Sequence, residues 1–270
     1  MTRYRATLVY DGTRYHGYQR QDNAPSIQGT VERVLQDLFG QPTPIIGAGR
    51  TDTGVHATGQ VIVFDADWSH GNTALLTVIN NALSVDIALH DLRETHAHFH
   101  PRYDAQARGY HYSVMNSPVR HPLMAFTTWQ VAQPLDVTLM NQAASLLMGR
   151  HDFATFGKPP RGNNTVREIA VSKWAQPPTP YRDVLVYHVE ANAFLHHMVR
   201  RIVYMLVEVG RGWQTIETFE TAFRSANLRL AGKLAPPQGL VLVEVRYAPN
   251  DQTTDRINRR RHVTPSEADE

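Results

Sequence analysis

The segment from Gly47 to Val61 combines residue types that can do chemistry. Its sequence, GAGRTDTGVHATGQV, holds four glycines and places Arg50 two residues before Asp52. Glycine relaxes the steric limits on the backbone, so such a loop bends tightly and lets a ligand approach main-chain atoms. In a compact loop a guanidinium can hold a carboxylate ionised and oriented. This pattern favours a functional aspartate, although a glycine-rich turn with a surface ion pair has the same composition.

Two familiar kinds of site do not fit this segment. It lacks the Lys-Ser/Thr ending of a P-loop and opens no predicted helix, which argues against nucleoside triphosphate binding. Asp52 also has no partner carboxylate of the kind that glycosidases use.

Two further segments carry arginine, tyrosine and amide side chains that suit phosphate and base contacts. They are DGTRYHGYQRQ, from Asp11 to Gln21, and FHPRYDAQARGYHY, from Phe99 to Tyr112. Tyr110 lies on a predicted strand and could provide a flat ring that stacks on an extruded base. An ordinary surface loop and a packing tyrosine are the plainer alternatives.

Histidines raise the question of a metal site. His96, His98 and His100 are predicted to share one strand face, but no carboxylate accompanies them at ligand spacing. In ANAFLHHMVRRI the residues His196 and Arg200 are four apart on a predicted helix, and the His-Glu-x-x-His order of a zinc helix is absent. We therefore expect no metal. Arg200 gains interest only if its helix face meets Asp52, since such arginines usually snorkel.

The turn APPQG, Ala235 to Gly239, precedes the last predicted strand. Its proline pair and glycine are typical of simple punctuation between elements.

The composition is that of a globular protein. Of 270 residues, 42% are hydrophobic and 19% charged, and no apolar run approaches the roughly 18 residues of a membrane span. No apolar signal region follows a basic one at the start, so we expect a cytoplasmic protein without a membrane partner. The lack of cysteine excludes disulfides, thiolate catalysis and cysteine-ligated metal centres.

The net charge of +2 is too small to indicate a nucleic-acid partner, so the distribution of charge matters more than its sum. Arginine far exceeds lysine. Arginine favours bidentate contact with phosphate and stacking on bases, although a GC-rich genome produces the same bias.

Period-two alternation predicts strands, and apolar residues at helical spacing predict helices. The predicted strands are Arg3–Tyr10, Pro44–Ile46, Val61–Phe64, Ile87–His96, Ala107–Val114, Val166–Trp174, Val184–Glu190 and Leu240–Tyr247. The predicted helices run from the Ser26 cap to Gly40, over Asn72–Leu83 and Asp136–Met148, from Phe194 to Val209 and over Ile216–Phe223.

This order predicts an α+β fold with largely antiparallel sheets, because most strand-to-strand steps are too short for crossovers. The natural division is into two βαβ-type halves with a boundary near Asp104. We expect an N-terminal half at 1–104 that carries the Asp52 loop and a C-terminal half at 105–249. The tail, 250–270, lacks apolar periodicity and is expected to be disordered.

Five segments in the same order resemble the tRNA pseudouridine synthase A family. GAGRTDTGVHATGQV looks like its signature loop, in which Arg-Thr-Asp supplies the catalytic aspartate. YDGTRYHGYQRQ, FHPRYDAQARGYHY, ANAFLHHMVRRI and APPQGLVLVEVRY resemble its first-strand, tyrosine, helix and C-terminal strand motifs. One glycine-rich match would be weak, whereas five ordered matches over about residues 4 to 247 are specific.

The resemblance implies roles for individual residues. Asp52 would be the nucleophile, Tyr110 the ring over the target uracil, and Arg50 and Arg200 the cations that hold the carboxylate. Further substrate-binding positions that we assign with the resemblance are Leu240, His56, Arg14, Gln19 and Arg20. The sequence departs from the family pattern at Thr53, Tyr18 and Gly109, where alanine, tryptophan and a basic residue are usual.

The resemblance also implies an activity and an architecture. The reaction would isomerise uridine to pseudouridine at positions 38, 39 and 40 of the tRNA anticodon arm without a cofactor. The fold would be two similar ferredoxin-like halves, each α/β like an RNA-recognition module, whose sheets join across a central active-site cleft. A homodimer would grip one tRNA. A tRNA-binding protein without catalysis is one alternative, against which the Arg50, Asp52, Tyr110 and Arg200 set argues. A histidine-based metal hydrolase, whose activity would vanish in chelator, is another.

Overall fold

The structure is a computed structural model that describes residues 1–159, 162–177 and 183–248. Its strands are β1 (Thr2–Tyr10), β2 (Ile46–Gly47), β3 (His56–Ala66), β4 (Ile87–Glu94), β5 (Ala105–Asn116), β6 (Trp129–Val131), β7 (Gly149–Asp152), β8 (Val166–Ala175), β9 (Val184–Ala191) and β10 (Leu240–Tyr247). Its α-helices are α1 (Ile27–Phe39), α2 (Asn72–Ala82), α3 (Val137–Ser145), α4 (Met198–Gly210) and α5 (Ile216–Arg224). The tail predicted to be disordered lies outside the described residues.

The bounds of α1 follow from local chemistry. The side chain of Ser26 accepts a hydrogen bond from the backbone N–H of Gly29, which satisfies one of the free donors at the helix start. At the other end Gly40 adopts a left-handed conformation with φ of 68°, which ends the helix. Val31 and Leu35 lie on its buried face, so both predicted ends and the predicted apolar stripe of this helix are confirmed.

The strands form one sheet in the order β4-β1-β3-β10-β5-β9-β8-β7, with β2 beside β3 and β6 beside β5. The pairs β3–β10 and β5–β6 are parallel, and the other described pairs are antiparallel. The predicted α+β class with a largely antiparallel sheet is confirmed. The C-terminal strand β10 lies between β3 and β5 and makes the sheet continuous.

Two buried clusters lie on either side of this junction. The first contains side chains of β1, β3, β4, α1 and α2, and the second those of β5, β8, β9, α3, α4 and α5. Strand β10 contributes side chains to both clusters, because Leu240 belongs to the second cluster and Leu242 to the first. The division of the chain into 1–104 and 105–249 stays a prediction.

The predicted loop from Gly47 to Val61 is too long, because β3 already begins at His56. A Cβ on Gly59 would collide with the backbone carbonyl of Val243, which belongs to the neighbouring strand β10. Gly59 therefore serves close packing of two strands and not the bend of a loop. Only a distant strand imposes this requirement, so local spacing does not reveal it.

Two other local predictions are wrong at their ends. Strand β4 ends at Glu94, so His96, His98 and His100 lie in the turns that follow and do not share a strand face. Helix α4 begins at Met198, because His197 takes the left-handed values φ 65° and ψ 5°, which a right-handed helix cannot contain.

Strands β6 and β7 have no predicted counterpart. They contain three and four residues, too few for a period to show. Among the described residues, no helix combines the length and the apolar character needed to cross a lipid bilayer.

Candidate active site

The loop that carries Asp52 connects β2 to β3 and is held in place by hydrogen bonds of the buried residue Thr51. The buried hydroxyls of Tyr10 and Thr51 are 2.8 Å apart and share a hydrogen bond. The carbonyl of Thr51 accepts from the backbone N–H of Tyr18 at 3.1 Å. Because Thr51 is buried and held on both sides, the adjacent Asp52 is presented from a rigid support.

Three side chains from α4 and the turn before it surround the carboxylate of Asp52. Nη1 of Arg200 donates to Oδ2 at 3.0 Å. Nε2 of His197 lies 3.5 Å from Oδ2, and Nε2 of His196 lies 3.7 Å from Oδ1. The side chain of Asp52 keeps 25% of its surface exposed, so the carboxylate remains open to a ligand.

Arg200 is itself held in place by the turn before β10. Its Nε donates to the carbonyl of Ala235 at 2.8 Å, and its own carbonyl accepts from the N–H of Ala235 at 3.1 Å. The hydroxyl of Tyr112 donates to the carbonyl of Pro236 at 2.7 Å. The APPQG segment thus anchors the cation that meets Asp52, a role beyond the punctuation expected of it.

Tyr110 projects from β5 into the same space. Its ring packs edge-on against Phe194, with centroids 5.1 Å apart and planes at 88°. Burial raises the pKa of Tyr110 to about 12, with Arg108 opposing and the nearby Asp52 reinforcing the shift. The phenol is therefore protonated at neutral pH, and its ring is fixed for stacking.

These groups line one cavity of about 770 Å³, within the size range of small-molecule sites. Leu240 lies in its wall, as predicted, and contributes aliphatic surface. The cations Arg50, Arg102 and Lys158 line it too, and none of the three is ion-paired with an acidic side chain in the described part of the chain. The cavity is therefore electropositive apart from Asp52.

The contact predicted between Arg50 and Asp52 is not formed in the described structure, which corrects that expectation. Thr51, between them, turns its side chain into the core, while Arg50 is exposed at the cavity wall. Arg200 takes the place beside the carboxylate.

Three substrate contacts were predicted in the loop that follows β1, and only one of these residues lines the cavity. Gln19 lines the cavity, whereas Arg14 and Arg20 do not. Arg14 is ion-paired with Asp86 at 2.5 Å and Arg20 with Glu32 at 3.0 Å. Both arginines are mostly exposed at the surface, so their contact with a substrate stays a prediction.

His56 is not placed as a substrate contact, which corrects its assignment. It is 6% exposed and absent from the cavity lining. Its Nδ1 lies 3.1 Å from both the N–H of Gly12 and Oδ1 of Asp11, and its Nε2 donates to the carbonyls of Phe126 at 2.9 Å and Gln238 at 3.1 Å, since carbonyl oxygens only accept. The ring thus links β3 to the segments that carry Phe126 and Gln238.

Sequence reasoning missed His197. Its strained backbone conformation turns the ring toward Asp52 at the start of α4, and such strain often marks a functional site. Burial lowers the pKa of His197, against the pull of Asp52, so the ring is neutral near pH 7. The adjacent histidines His196 and His197 are visible in the sequence. The predicted helix from Phe194 to Val209 included both, so the turn before α4 was not predicted.

Asp52, His196 and His197 also offer one ligand atom each within 4.8 Å of one another. A cation bound there would face the guanidinium of Arg200, already 3.0 Å from the same carboxylate. The expectation of no metal stays a prediction.

Comparisons with known proteins agree with this geometry. A family model described as tRNA pseudouridine synthase matches residues 6–104 and 143–248. The protein named tRNA pseudouridine synthase A from Myxococcus xanthus is 43% identical over 251 residues, which cover 92% of each chain. The protein of the same name from Syntrophotalea carbinolica is 40% identical over 92% of this chain and 97% of its own.

A third such protein, from Colwellia psychrerythraea, is 37% identical over 92% of this chain and 95% of its own. The matched residues include both the Asp52 loop and the Arg200 helix, whose side chains meet in the cavity. The chain belongs to the tRNA pseudouridine synthase family, a family of isomerases.

Proposed function

We propose that this protein isomerises uridine to pseudouridine in the anticodon arm of tRNA, at positions 38, 39 and 40, with Asp52 as the nucleophile. The ion pair of Asp52 with Arg200 in the wall of the cavity carries the proposal. The ion pair orients one carboxylate beside the ring of Tyr110, whose hydroxyl keeps its proton. The family relationship supports tRNA as the substrate.

The chemistry needs little more than this. The N1–C1′ bond of uridine breaks, the base turns, and C5 bonds to C1′; C5 loses a proton and N1 gains one. The change is an isomerisation, so no external oxidant, reductant or energy source is consumed. Asp52 either adds to C6 of the uracil or assists loss of the base at C1′, and both routes need a positioned nucleophilic carboxylate.

The surroundings of Asp52 fit this sequence of events. Arg200 holds the carboxylate at one oxygen, and Tyr110 offers a face to the flipped base. The walls formed by Phe194 and Leu240 confine the detached base while it rotates, so that rejoining stays intramolecular.

Contacts to the RNA backbone must offset the cost of flipping, which is a few kcal/mol. Arg50, Arg102 and Lys158 stand free of acidic partners in the described part of the chain and line the cavity. Phosphate contacts by such groups make binding salt-dependent. The local excess of cations therefore matters more than the small net charge.

A homodimer, implied by the family resemblance, is part of this proposal. Val119, Leu123 and Phe126 lie close together in the sequence and are 69%, 87% and 64% exposed, and exposed apolar residues of this kind are candidates for such an interface. Light scattering at micromolar concentration should give twice the chain mass of 30.5 kDa. A stable mass of one chain would contradict the dimer.

The test uses purified protein, chelator and unmodified tRNA transcripts that keep a single uridine at position 38, 39 or 40. Carbodiimide labelling and primer extension should detect pseudouridine at that position. Asp52→Asn should abolish the product while tRNA binding persists. Binding without turnover in the unsubstituted protein would instead favour the non-catalytic tRNA-binding alternative.

A further inference from the structure

A second, smaller cavity of about 240 Å³ adjoins the active-site cavity. Arg50, Arg102 and Tyr18 line both spaces, so the two are neighbours that share a wall. We call the smaller one the side cavity, and His100, Tyr103 and Gly47 complete the part of its lining that matters here. Its volume lies below the ~300 Å³ of typical small-molecule sites, which suits one flat ring.

The side cavity has an aromatic platform at its edge. Tyr103 is 72% exposed, and its ring lies 4.2 Å from that of His100 at an angle of 35°. An exposed tyrosine ring of this kind can stack on any nucleobase, because every base has a π-face.

The platform is held rigidly by its own turn. The N–H of His100 donates to Oδ2 of Asp104 at 2.8 Å, and Nδ1 of His100 accepts from the N–H groups of Arg102 and Tyr103 at 3.2 and 3.4 Å. Nη2 of Arg108 donates to the carbonyl of Arg102 at 2.6 Å. These bonds fix the backbone of the turn that carries Tyr103, which lowers the ordering cost when a base stacks there.

Two guanidiniums stand between the cavities. Arg50 and Arg102 line both, and neither is ion-paired with an acidic residue in the ranges that the structure describes. A guanidinium binds phosphate oxygens through paired N–H donors. A phosphate that joins one nucleotide in each cavity would lie at this shared wall.

Tyr18 forms part of the wall that the two cavities share. Tyr18 is 4% exposed, and its hydroxyl has no hydrogen-bond partner among the described residues. The hydroxyl lies against Gly47, where a Cβ would collide with it. Because this hydroxyl is enclosed, Tyr18 serves the side cavity as a packed wall and not as a donor to a ligand.

We propose that the side cavity binds the base of the nucleotide next to the target uridine, stacked on Tyr103, with the connecting phosphate between Arg50 and Arg102. The inference rests on the proposed tRNA substrate and adds a second extruded base to it. The shared cations would also bind a free anion, whereas the aromatic platform of Tyr103 selects a ligand that carries a base.

The test compares Tyr103→Ala, Tyr103→Phe and a control, Trp213→Ala, which removes another exposed aromatic ring outside both cavities. Substrates are intact tRNA transcripts and transcripts with an abasic nucleotide on the 5′ or the 3′ side of the target. Binding is measured by filter retention in the Asp52→Asn background, and kcat and KM are measured in the catalytic protein.

We expect Tyr103→Ala to weaken binding of intact tRNA and raise KM about tenfold, with kcat little changed, while Tyr103→Phe and Trp213→Ala behave like the parent. The parent should bind one of the two abasic transcripts about tenfold more weakly than it binds intact tRNA. Tyr103→Ala should bind that same transcript no more weakly than the parent does. The proposal would be overturned if the loss of affinity from Tyr103→Ala added to the loss from the abasic nucleotide for both transcripts. It would also be overturned if Tyr103→Ala bound intact tRNA as tightly as the parent. Because binding is scored without turnover, this result is separable from a failure of the isomerase assay.

Discussion

Asp52 and Arg200 are separated by 148 residues in the sequence and joined by a hydrogen-bonded ion pair of 3.0 Å. The carboxylate belongs to the loop before β3, and the guanidinium to the first turn of α4. Their distance is set by the sheet, because β10 pairs with β3 on one side and with β5 on the other. The candidate active site is therefore assembled only when both parts of the chain have folded together.

Arg200→Lys should lower kcat about 100-fold with little change in stability. Lysine cannot reach the Ala235 carbonyl and the Asp52 carboxylate at once, as Arg200 does, and misplacement of a catalytic group by about 1 Å costs that order of rate. Single-turnover assays and thermal melts measure the two effects. The surface substitution Arg229→Lys is the control, and a rate within twofold of the parent for Arg200→Lys would remove the ion pair from the mechanism.

Gly59→Ala should destabilise the protein by about 1–3 kcal/mol, because the added Cβ would collide with the Val243 carbonyl in the neighbouring strand. Gly109→Ala is the matched control, since the nearest atoms to a Cβ there are 3.6 and 3.7 Å away. That change should be neutral or stabilise by up to ~1 kcal/mol. Urea unfolding of both variants gives the comparison, and equal midpoints would contradict the close approach of β3 and β10.

Stability should fall as the pH rises above 10, in part because of Tyr110. Burial raises its pKa to about 12 in the folded state, whereas a phenol in the unfolded chain ionises near pH 10. The contribution is therefore complete below about pH 10 and is lost as the pH approaches 12. Tyr110→Phe should reduce this loss by an amount on the order of 1 kcal/mol.

Urea unfolding at a series of pH values measures that slope. Trp213→Phe, which changes an exposed aromatic residue without an ionisable group, should leave it unchanged. A Tyr110→Phe slope indistinguishable from the parent would argue that the phenol is not buried.

His197→Gly should separate stability from activity. The substitution relieves a left-handed conformation with φ of 65°, which costs a residue with a side chain about 1–2 kcal/mol, and it removes the ring 3.5 Å from Asp52. We expect stability to be retained or increased while the rate of pseudouridine formation falls about tenfold or more.

Ala226→Gly is its matched control, because Ala226 has φ of 51° and does not line the cavity. It should show the same change in melting temperature with full activity. Full activity of His197→Gly would instead assign the strain to folding alone.

Local sequence determined much of the fold and the identity of the central acid. The ends of α1 follow from the Ser26 cap and the Gly40 stop, because capping involves neighbours within one turn. The motif around Asp52 could be singled out because glycines, an arginine and an aspartate stand close in the chain. Periodicity likewise predicted the α+β class, since burial of one face repeats along each element.

Only the tertiary structure decided which side chains meet. Arg50, two residues from Asp52, lines the cavity without contacting the carboxylate. Arg200 and His197 reach the carboxylate from another part of the fold. His56 is buried and links β3 to distant segments, since its hydrogen-bond acceptors lie 70 and 182 residues away in the chain. Sequence spacing reports interactions along the chain, whereas partners across a sheet depend on strand order and register, which no local pattern specifies.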